Sequence, residues 1–304
     1  MKKLIKKRIV VTGAGGFIGS SLVERLVALG CYNIVAIDRN ATNFEKIKNI
    51  TTNFSDEKKM RKIIQKDDIV IHLACSSNPA ISQQDAIKDI EENVIGSLKL
   101  LQICVEKKIS KLVYISSGGV IYGNQGARKM KESGNSDPIS LHGVMKLTIE
   151  KYIQAFGHLF GLNYVIVRPG NPYGRKNSNN RNQGIVDVFI SKINNNENLE
   201  IWGDGKIIRD YIYIDDLIAL IVETLNPKIL KEIFNAGTGV GTSINEIVDI
   251  LKRVSGKNFR AKYFKKRNFD ILYNVLNMDK AKGILKWKPK KNLEENIKQI
   301  IIRR

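Results

Sequence analysis

The chain is poor in cysteine, in acidic residues and in long apolar runs. Its three cysteines, Cys31, Cys75 and Cys104, show no paired spacing. That argues against a disulfide framework and for a reducing compartment, taken here as cytoplasmic. No apolar run approaches the roughly 20 residues of a membrane-spanning helix. The basic start, Met1 to Arg8, leads only into Ile9-Val10-Val11 before Thr12-Gly13. It is expected to enter a first strand, not to act as a signal peptide. No metal-ligand cluster, internal repeat, RNP-like segment or zinc-finger pattern is visible. Acidic residues number 30 against 50 Lys and Arg, for a net charge of +20. Nucleic acid, an anionic membrane face and an anionic small substrate all fit that charge. The lysines form only small scattered clusters, such as Lys2-Lys3, Lys6-Lys7-Arg8, Lys265-Lys266-Arg267 and Lys288 to Lys291. The expectation is therefore a solvated basic surface, with no specific nucleic acid and at most weak association with anionic membrane.

What the chain does have suits a globular protein: 304 residues, 43% hydrophobic and 26% charged. Short runs rich in Val and Ile recur at Arg8–Thr12, Ile34–Asp38, Ile69–Ala74, Leu112–Ser116 and Tyr164–Arg168. They show little alternation, as in strands buried on both faces of a parallel sheet. Amphipathic stretches separate them. In the first, Ile18, Leu22, Leu26 and Leu29 recur at helical spacing and Gly30 follows as a C-terminal cap. After Arg168 the texture changes: Asn171–Gly184 reads as a loop, Val186–Ile193 and Leu217–Leu225 as helices, and Asp204–Asp216 as turns with a short strand. The expected fold class is α/β, a Rossmann-type doubly wound parallel sheet with a smaller mixed α/β substrate lobe. Residues 1–170 would form the dinucleotide-binding domain, with about 206–238 returning to it, and 171–304 mostly the lobe.

The sharpest local signal is Val10-Val11-Thr12-Gly13-Ala14-Gly15-Gly16-Phe17-Ile18-Gly19. Gly13, Gly16 and Gly19 form GxxGxxG where a strand turns into a helix. Such a turn lets backbone approach a pyrophosphate, and the helix N-terminus, here Phe17 and Ile18, stabilises its charge. Asp38 ends the next strand, where a carboxylate accepts the ribose hydroxyls and repels a 2′-phosphate, favouring NAD over NADP. Arg39 beside it would suit NADP.

With these segments in view, the sequence resembles the extended short-chain dehydrogenases/reductases, in their nucleotide-sugar epimerase branch. The likeness rests on further segments along nearly the whole chain: His72-Leu73-Ala74, Asn93-Val94-Ile95-Gly96, Ser116 to Gly123, Arg168 to Gly174, Gly203-Asp204-Gly205, Arg209 to Asp216, Phe234 to Gly239 and Arg267 to Asp270. The resemblance implies that Asn53 and Phe54 lie near the adenine and that Leu73, Ala74, Asn93, Lys146 and Pro169 belong to the cofactor site. It implies that Asn171 contacts substrate and that Arg209 and Arg267 grip a nucleotide-sugar diphosphate, for which planar guanidinium is suited. His158 reads as a helix-surface residue, Cys75 as a packed small one, and Asp215 and Asp216 as braces of the fold.

The chain departs from the family at its catalytic centre. The family base is the tyrosine of YxxxK, and here Ser140-Leu141-His142-Gly143-Val144-Met145-Lys146 keeps the lysine but carries His142 in the tyrosine's place. Spacing of four keeps His142 and Lys146 on one helix face. The family's serine or threonine position falls on Gly118, with Ser117 the nearest hydroxyl; a serine placed at 118 is expected to orient the sugar hydroxyl. Three readings stand: His142 is itself the base, kept neutral by the neighbouring ammonium; the protein binds without turnover; or it is a one-residue variant of a tyrosine enzyme.

The expected activity is NAD-dependent epimerisation at C4 of a UDP-hexose or UDP-N-acetylhexosamine through a 4-keto intermediate, in a homodimer. His142, Lys146 and Ser117 would be catalytic; Gly118, His142, Asn171, Arg209 and Arg267 would face substrate. A 4,6-dehydratase would carry an Asp-Glu pair where Gly119-Val120 stands. A reductase, a decarboxylase, a non-catalytic NAD and nucleotide-sugar sensor, and, on charge alone, a nucleic-acid-binding protein are the alternatives.

Overall fold

The Val- and Ile-rich runs become the strands of one parallel sheet. The computed structural model describes residues 7–77, 79–174, 184–265 and 271–303. In chain order these form β1 (Ile9–Thr12), α1 (Phe17–Ala28), β2 (Ile34–Asp38), β3 (Lys48–Thr51), α2 (Glu57–Ile63) and β4 (Ile69–His72). Two short helices, α3 (Pro79–Gln84) and α4 (Ala86–Asp89), run into a π-helical turn (Ile90–Ile95) and then α5 (Gly96–Glu106). β5 (Lys111–Ile115), α6 (Leu141–Leu159), β6 (Tyr164–Pro169), β7 (Asn171–Tyr173) and α7 (Ile185–Asn194) follow. The rest is β8 (Leu199–Trp202), β9 (Ile208–Tyr213), α8 (Ile214–Thr224), β10 (Glu232–Ala236), β11 (Gly241–Ser243), α9 (Ile244–Ser255), β12 (Ala261–Phe264), β13 (Tyr273–Asn274), α10 (Asp279–Leu285) and α11 (Leu293–Arg303).

Seven strands pair in the order β10-β6-β5-β4-β1-β2-β3, all parallel. The order reverses at β1, which places a ligand crevice at the carboxyl ends of the strands there. Alternate strand residues feed two cores. Ile9, Val11, Ile71, Val113 and Ile115 pack with Leu22 and Leu26 of α1 and Leu217 and Ile221 of α8. Val10, Val70, Leu112 and Tyr114 pack with Met60 of α2, Leu101 of α5, and Met145 and Ile149 of α6. Burial on both faces is why the sequence runs are apolar throughout, not alternating. This is the doubly wound Rossmann-type fold expected from the sequence.

Local signals set the element ends. Gly30, at φ +82°, ends α1 in the left-handed region that favours glycine. Ser140 caps α6 by accepting from the Gly143 amide at 3.2 Å. Lys111 reaches from β5 to donate to the carbonyls of Thr224 (3.0 Å) and Asn226 (2.7 Å), satisfying the C-terminal end of α8.

The smaller lobe is built on β9, which pairs with β7 and β13 in parallel and with β11 antiparallel. β8 and β12 form a separate parallel pair. Asp210, wholly buried in β9, ties this lobe to the sheet. Its carboxylate accepts from the Thr238 amide and hydroxyl (2.7 Å each), the Gly239 amide (2.9 Å) and the Leu276 amide (3.2 Å). A second buried knot joins α6 to β6: Arg168 donates to Glu150 at 2.6 Å and to the Tyr122 hydroxyl at 2.9 Å, and Tyr122 donates to Asn235 at 2.7 Å. Asp216 is buried and accepts from the Lys290 amide at 3.2 Å, whereas Asp215 is exposed. β3 and the π-helical turn escape the sequence reading, and β7 lies where Asn171–Gly184 was expected to be loop. No helix among the described residues is long and apolar enough to cross a membrane.

Candidate functional site

The glycine turn has the geometry that a pyrophosphate site needs. Gly13 has φ +73°, and a Cβ there would stand 2.6 Å from the Ala74 amide nitrogen. A Cβ on Gly19 would also overlap the Gly13 carbonyl oxygen, so strand and helix approach closely only with glycine at both points. Gly16 precedes α1, which carries no acidic residue in its first turn. The N-terminal end of α1, from Phe17 and Ile18 on, therefore carries no carboxylate of its own to offset the helix dipole. Asp38 stands at the carboxyl end of β2, accepting from the Gly15 amide at 2.9 Å and the Asn40 amide at 3.0 Å. A groove of about 110 Å³ lies there, lined by Gly13, Gly16, Asp38, Arg39, Asn53, Phe54, Leu73, Ala74, Cys75 and Ser76 among others. A carboxylate, a glycine cradle and a helix N-terminus around one groove fit the adenosine and pyrophosphate of NAD.

Four of the expected cofactor residues also have partners within the protein. Phe54 is buried and packs its ring on His72, with centroids 4.9 Å apart. Asn93 lies behind the groove wall. Its amide nitrogen donates to Asp89 Oδ1 at 2.7 Å and to the Ser76 hydroxyl at 2.9 Å, and its oxygen accepts from the Ser76 amide at 2.9 Å. Asn93 thus shapes the loop that carries Ser76, which lines the groove. Asn53 Oδ1 accepts from the Ser55 amide at 3.0 Å in a local turn. Pro169 accepts from the Gly118 amide at 2.7 Å, so it braces the neighbouring segment.

His72 is a residue whose role the sequence did not reveal. Ser97 donates its hydroxyl proton to the Asn93 carbonyl at 2.6 Å, so its oxygen accepts from His72 Nε2 at 3.0 Å. His72 Nδ1 must then accept from Thr12 Oγ1 at 2.8 Å, which fixes the neutral tautomer. Burial first, and the Lys146 charge second, push its pKa down to about 3. His72 therefore clamps the end of β1 to β4 and α5 beneath the glycine turn.

At the far end of the sheet α6 sets His142 and Lys146 one turn apart. Lys146 is buried, donates to the Ile115 carbonyl at 3.2 Å and lies 5.2 Å from the Tyr114 ring centroid. His142 is buried, and its Nδ1 meets no hydrogen-bond partner among the described residues. Its pKa falls to about 4, chiefly through burial and secondly through the Lys146 charge, with Asp89 pulling the other way. The imidazole is thus neutral and able to accept a proton at neutral pH, as the reading of His142 as base requires. Ser117 is half-buried. A Cβ built on Gly119 would lie 3.7 Å from the Ser117 hydroxyl and 3.8 Å from Asn171 Oδ1, so these two polar groups flank one small gap.

Gly118 differs from expectation. A Cβ there would stand 2.9 Å from the Arg168 carbonyl oxygen and 2.9 Å from a Leu276 methyl. The backbone leaves no room for the family's side chain at this position, and the expected gain from a serine at 118 does not fit the geometry.

A second cleft, of about 300 Å³, opens against the lobe and is lined by Asn171, Trp202, Arg209, Tyr211 and Glu200 among others. Arg209 stands on β9 and donates to the Ile208 carbonyl at 3.0 Å. Arg267 lies outside the described residues. His158 is exposed, and no cluster among the described residues could hold a metal ion.

Comparison with known proteins agrees with this geometry. The family model described as the NAD dependent epimerase/dehydratase family matches residues 9–237. A UDP-glucose 4-epimerase of Mycolicibacterium smegmatis is 29% identical, with 97% of each chain covered. Among solved structures, UDP-glucose 4-epimerase of Thermotoga maritima with UDP-glucose has a TM-score of 0.90 and 32% identity, covering 97% of this chain and 98% of its own. UDP-glucose 4-epimerase of Thermus thermophilus in complex with NAD has a TM-score of 0.89 and 28% identity, with the same coverage. The likeness extends over the lobe as well as the sheet. The glycine turn, Asp38 and the matched segments make one case: this chain belongs to the NAD-dependent epimerase/dehydratase family of extended short-chain dehydrogenases/reductases, with NAD as its cofactor.

Proposed function

We propose that the protein is an NAD-dependent epimerase acting at C4 of a UDP-hexose or UDP-N-acetylhexosamine through a 4-keto sugar, with His142 as the base. The observation that carries this reading is the buried, neutral His142, its Nδ1 unpartnered among the described residues, one helical turn from Lys146. Bound NAD supplies a hydride acceptor that can return the hydride to either face of the sugar. His142 takes the proton from the C4 hydroxyl and gives it back. Lys146, fixed by the Ile115 carbonyl one helical turn from His142, would hold the nicotinamide ribose when NAD is bound. Ser117 and Asn171 orient the sugar around the gap at Gly119, where a side chain would crowd it. Arg209 and Arg267 bind the diphosphate. The similarity to proteins that bind UDP-glucose and NAD supports the nucleotide and the cofactor.

A second reading, a binding protein without turnover, draws on Gly118, which has no hydroxyl and no space for one. We favour a homodimer in the cytoplasm. Exposed Ile87 of α4, Ile90 at the start of the π-helical turn, and Leu141 and Val144 on α6 offer apolar surface for a second copy. The test is NMR of UDP-glucose, and separately of UDP-N-acetylglucosamine, incubated with the NAD-loaded protein. Appearance of the matching galacto sugar is expected. Binding of both ligands with no interconversion would favour the second reading.

A further inference from the structure

The cofactor groove is walled by separate segments of chain: the glycine turn, the end of β2 at Asp38, Phe54, and the loop from Leu73 to Ser76. His72 lies behind it and ties three of these together. Thr12, the residue before Gly13, donates its hydroxyl proton to His72 Nδ1 at 2.8 Å. His72 Nε2 donates to Ser97 Oγ at 3.0 Å, and Ser97 donates to the Asn93 carbonyl at 2.6 Å. Asn93 then accepts from the Ser76 amide and donates to the Ser76 hydroxyl, each at 2.9 Å. Thr12, His72, Ser97 and Asn93 are all buried, so each proton in the series has one place to go, and reversing any bond leaves a buried group without its partner. The imidazole also packs on Phe54, with ring centroids 4.9 Å apart, and on Tyr114, at 5.6 Å. Tyr114 in turn lies 5.2 Å from Lys146 Nζ. Leu73 and Ala74 follow His72 directly, and Gly13 sits so close to Ala74 that a Cβ would stand 2.6 Å from its amide nitrogen. The turn and this wall therefore cannot move independently. Thr12, His72 and Ser97 do not themselves line the groove.

We propose that His72 is a positioning residue for NAD: the relay from Thr12 through His72 and Ser97 to Asn93 holds the glycine turn, Phe54 and the Ser76 loop at the spacing that the dinucleotide requires. A groove whose walls are already fixed spares the ligand the cost of ordering them, so the relay raises NAD affinity from behind the site. The inference needs NAD as the cofactor. It does not need the reading of His142 as the base.

The test is calorimetric titration of NAD into protein freed of cofactor, for the parent, Thr12→Val, His72→Phe and the double variant, with UDP as the control ligand. Valine keeps the branched shape of Thr12 and removes the hydroxyl. Phenylalanine keeps a ring against Phe54 and Tyr114 and removes both nitrogens. Each single change is expected to raise the NAD Kd about tenfold, with UDP affinity unchanged. Thr12→Ser, which retains a hydroxyl, is expected to recover most of the loss seen with valine. The double variant is expected to bind NAD no more weakly than His72→Phe alone, because the Thr12 hydroxyl acts through the imidazole. If His72→Phe does not fold, Ser97→Ala, which cuts the relay one step further on, takes its place. An unchanged NAD Kd in the single variants overturns the proposal even where their melting temperature falls, since His72 is then only a brace of the sheet. An equal loss of UDP affinity overturns it, and so do losses that add in the double variant. These affinities decide the matter whether or not the parent epimerises any UDP-sugar.

Discussion

His142 and Lys146 stand one turn apart on the same buried face of α6, and the ammonium of Lys146, anchored 3.2 Å from the Ile115 carbonyl, helps keep His142 unprotonated. His72 is under the same influence from the sheet side. The chain thus buries two of its three histidines as neutral bases around one lysine.

That arrangement predicts acid sensitivity. Both folded pKa values lie below the ordinary histidine value of 6.5, at about 4 for His142 and about 3 for His72. Below pH 6.5 the unfolded chain therefore binds protons that the folded chain refuses. Stability should fall as pH drops from 6.5, by up to about 1.4 kcal/mol per pH unit for each histidine. The His142 contribution levels off near pH 4 and that of His72 near pH 3. Urea unfolding at pH 7, 6 and 5 checks this. A midpoint that rises on acidification would contradict it.

Gly118 and Gly119 are adjacent but should respond differently. Gly118→Ala forces a methyl against the Arg168 carbonyl and Leu276 and should cost about 1–3 kcal/mol. Gly119→Ala meets only ordinary contacts and should leave stability nearly unchanged. It should instead raise KM for UDP-sugar by crowding Ser117 and Asn171. Thermal melts of both variants, with KM for the second, make the comparison.

Glu150 and Arg168 form a pair with almost no solvent contact, at 4% and 0% side-chain exposure for Arg168 and Glu150. Glu150→Ala leaves the guanidinium buried with only the Tyr122 hydroxyl and the Glu132 carbonyl. The loss should be about 3–5 kcal/mol, read as a drop in the urea midpoint.

The sequence exposes what is local. The glycine turn, Asp38 and the His142–Lys146 spacing are each set within a few residues, and each stands in the structure where its motif puts it. The β-runs were readable because burial on both faces demands Val and Ile. What escaped depends on distant partners. His72 looked like part of a strand-end motif, and its tautomer is set by Thr12 and Ser97, 60 and 25 residues away. Asn93 was legible only as part of a motif, and its bonds to Asp89 and Ser76 come from the way the π-helical turn folds back on the loop. Gly118 reads as a missing hydroxyl, and only the Arg168 carbonyl and Leu276 reveal that no side chain fits there.

The most direct measurement is the rate of UDP-glucose to UDP-galactose conversion by NAD-loaded protein and by His142→Phe, with bound NAD quantified in both. Phenylalanine fills the buried space and cannot exchange a proton. Turnover is predicted to fall by roughly 10²–10⁴-fold while NAD content stays the same. Undiminished turnover in His142→Phe would contradict His142 as the base.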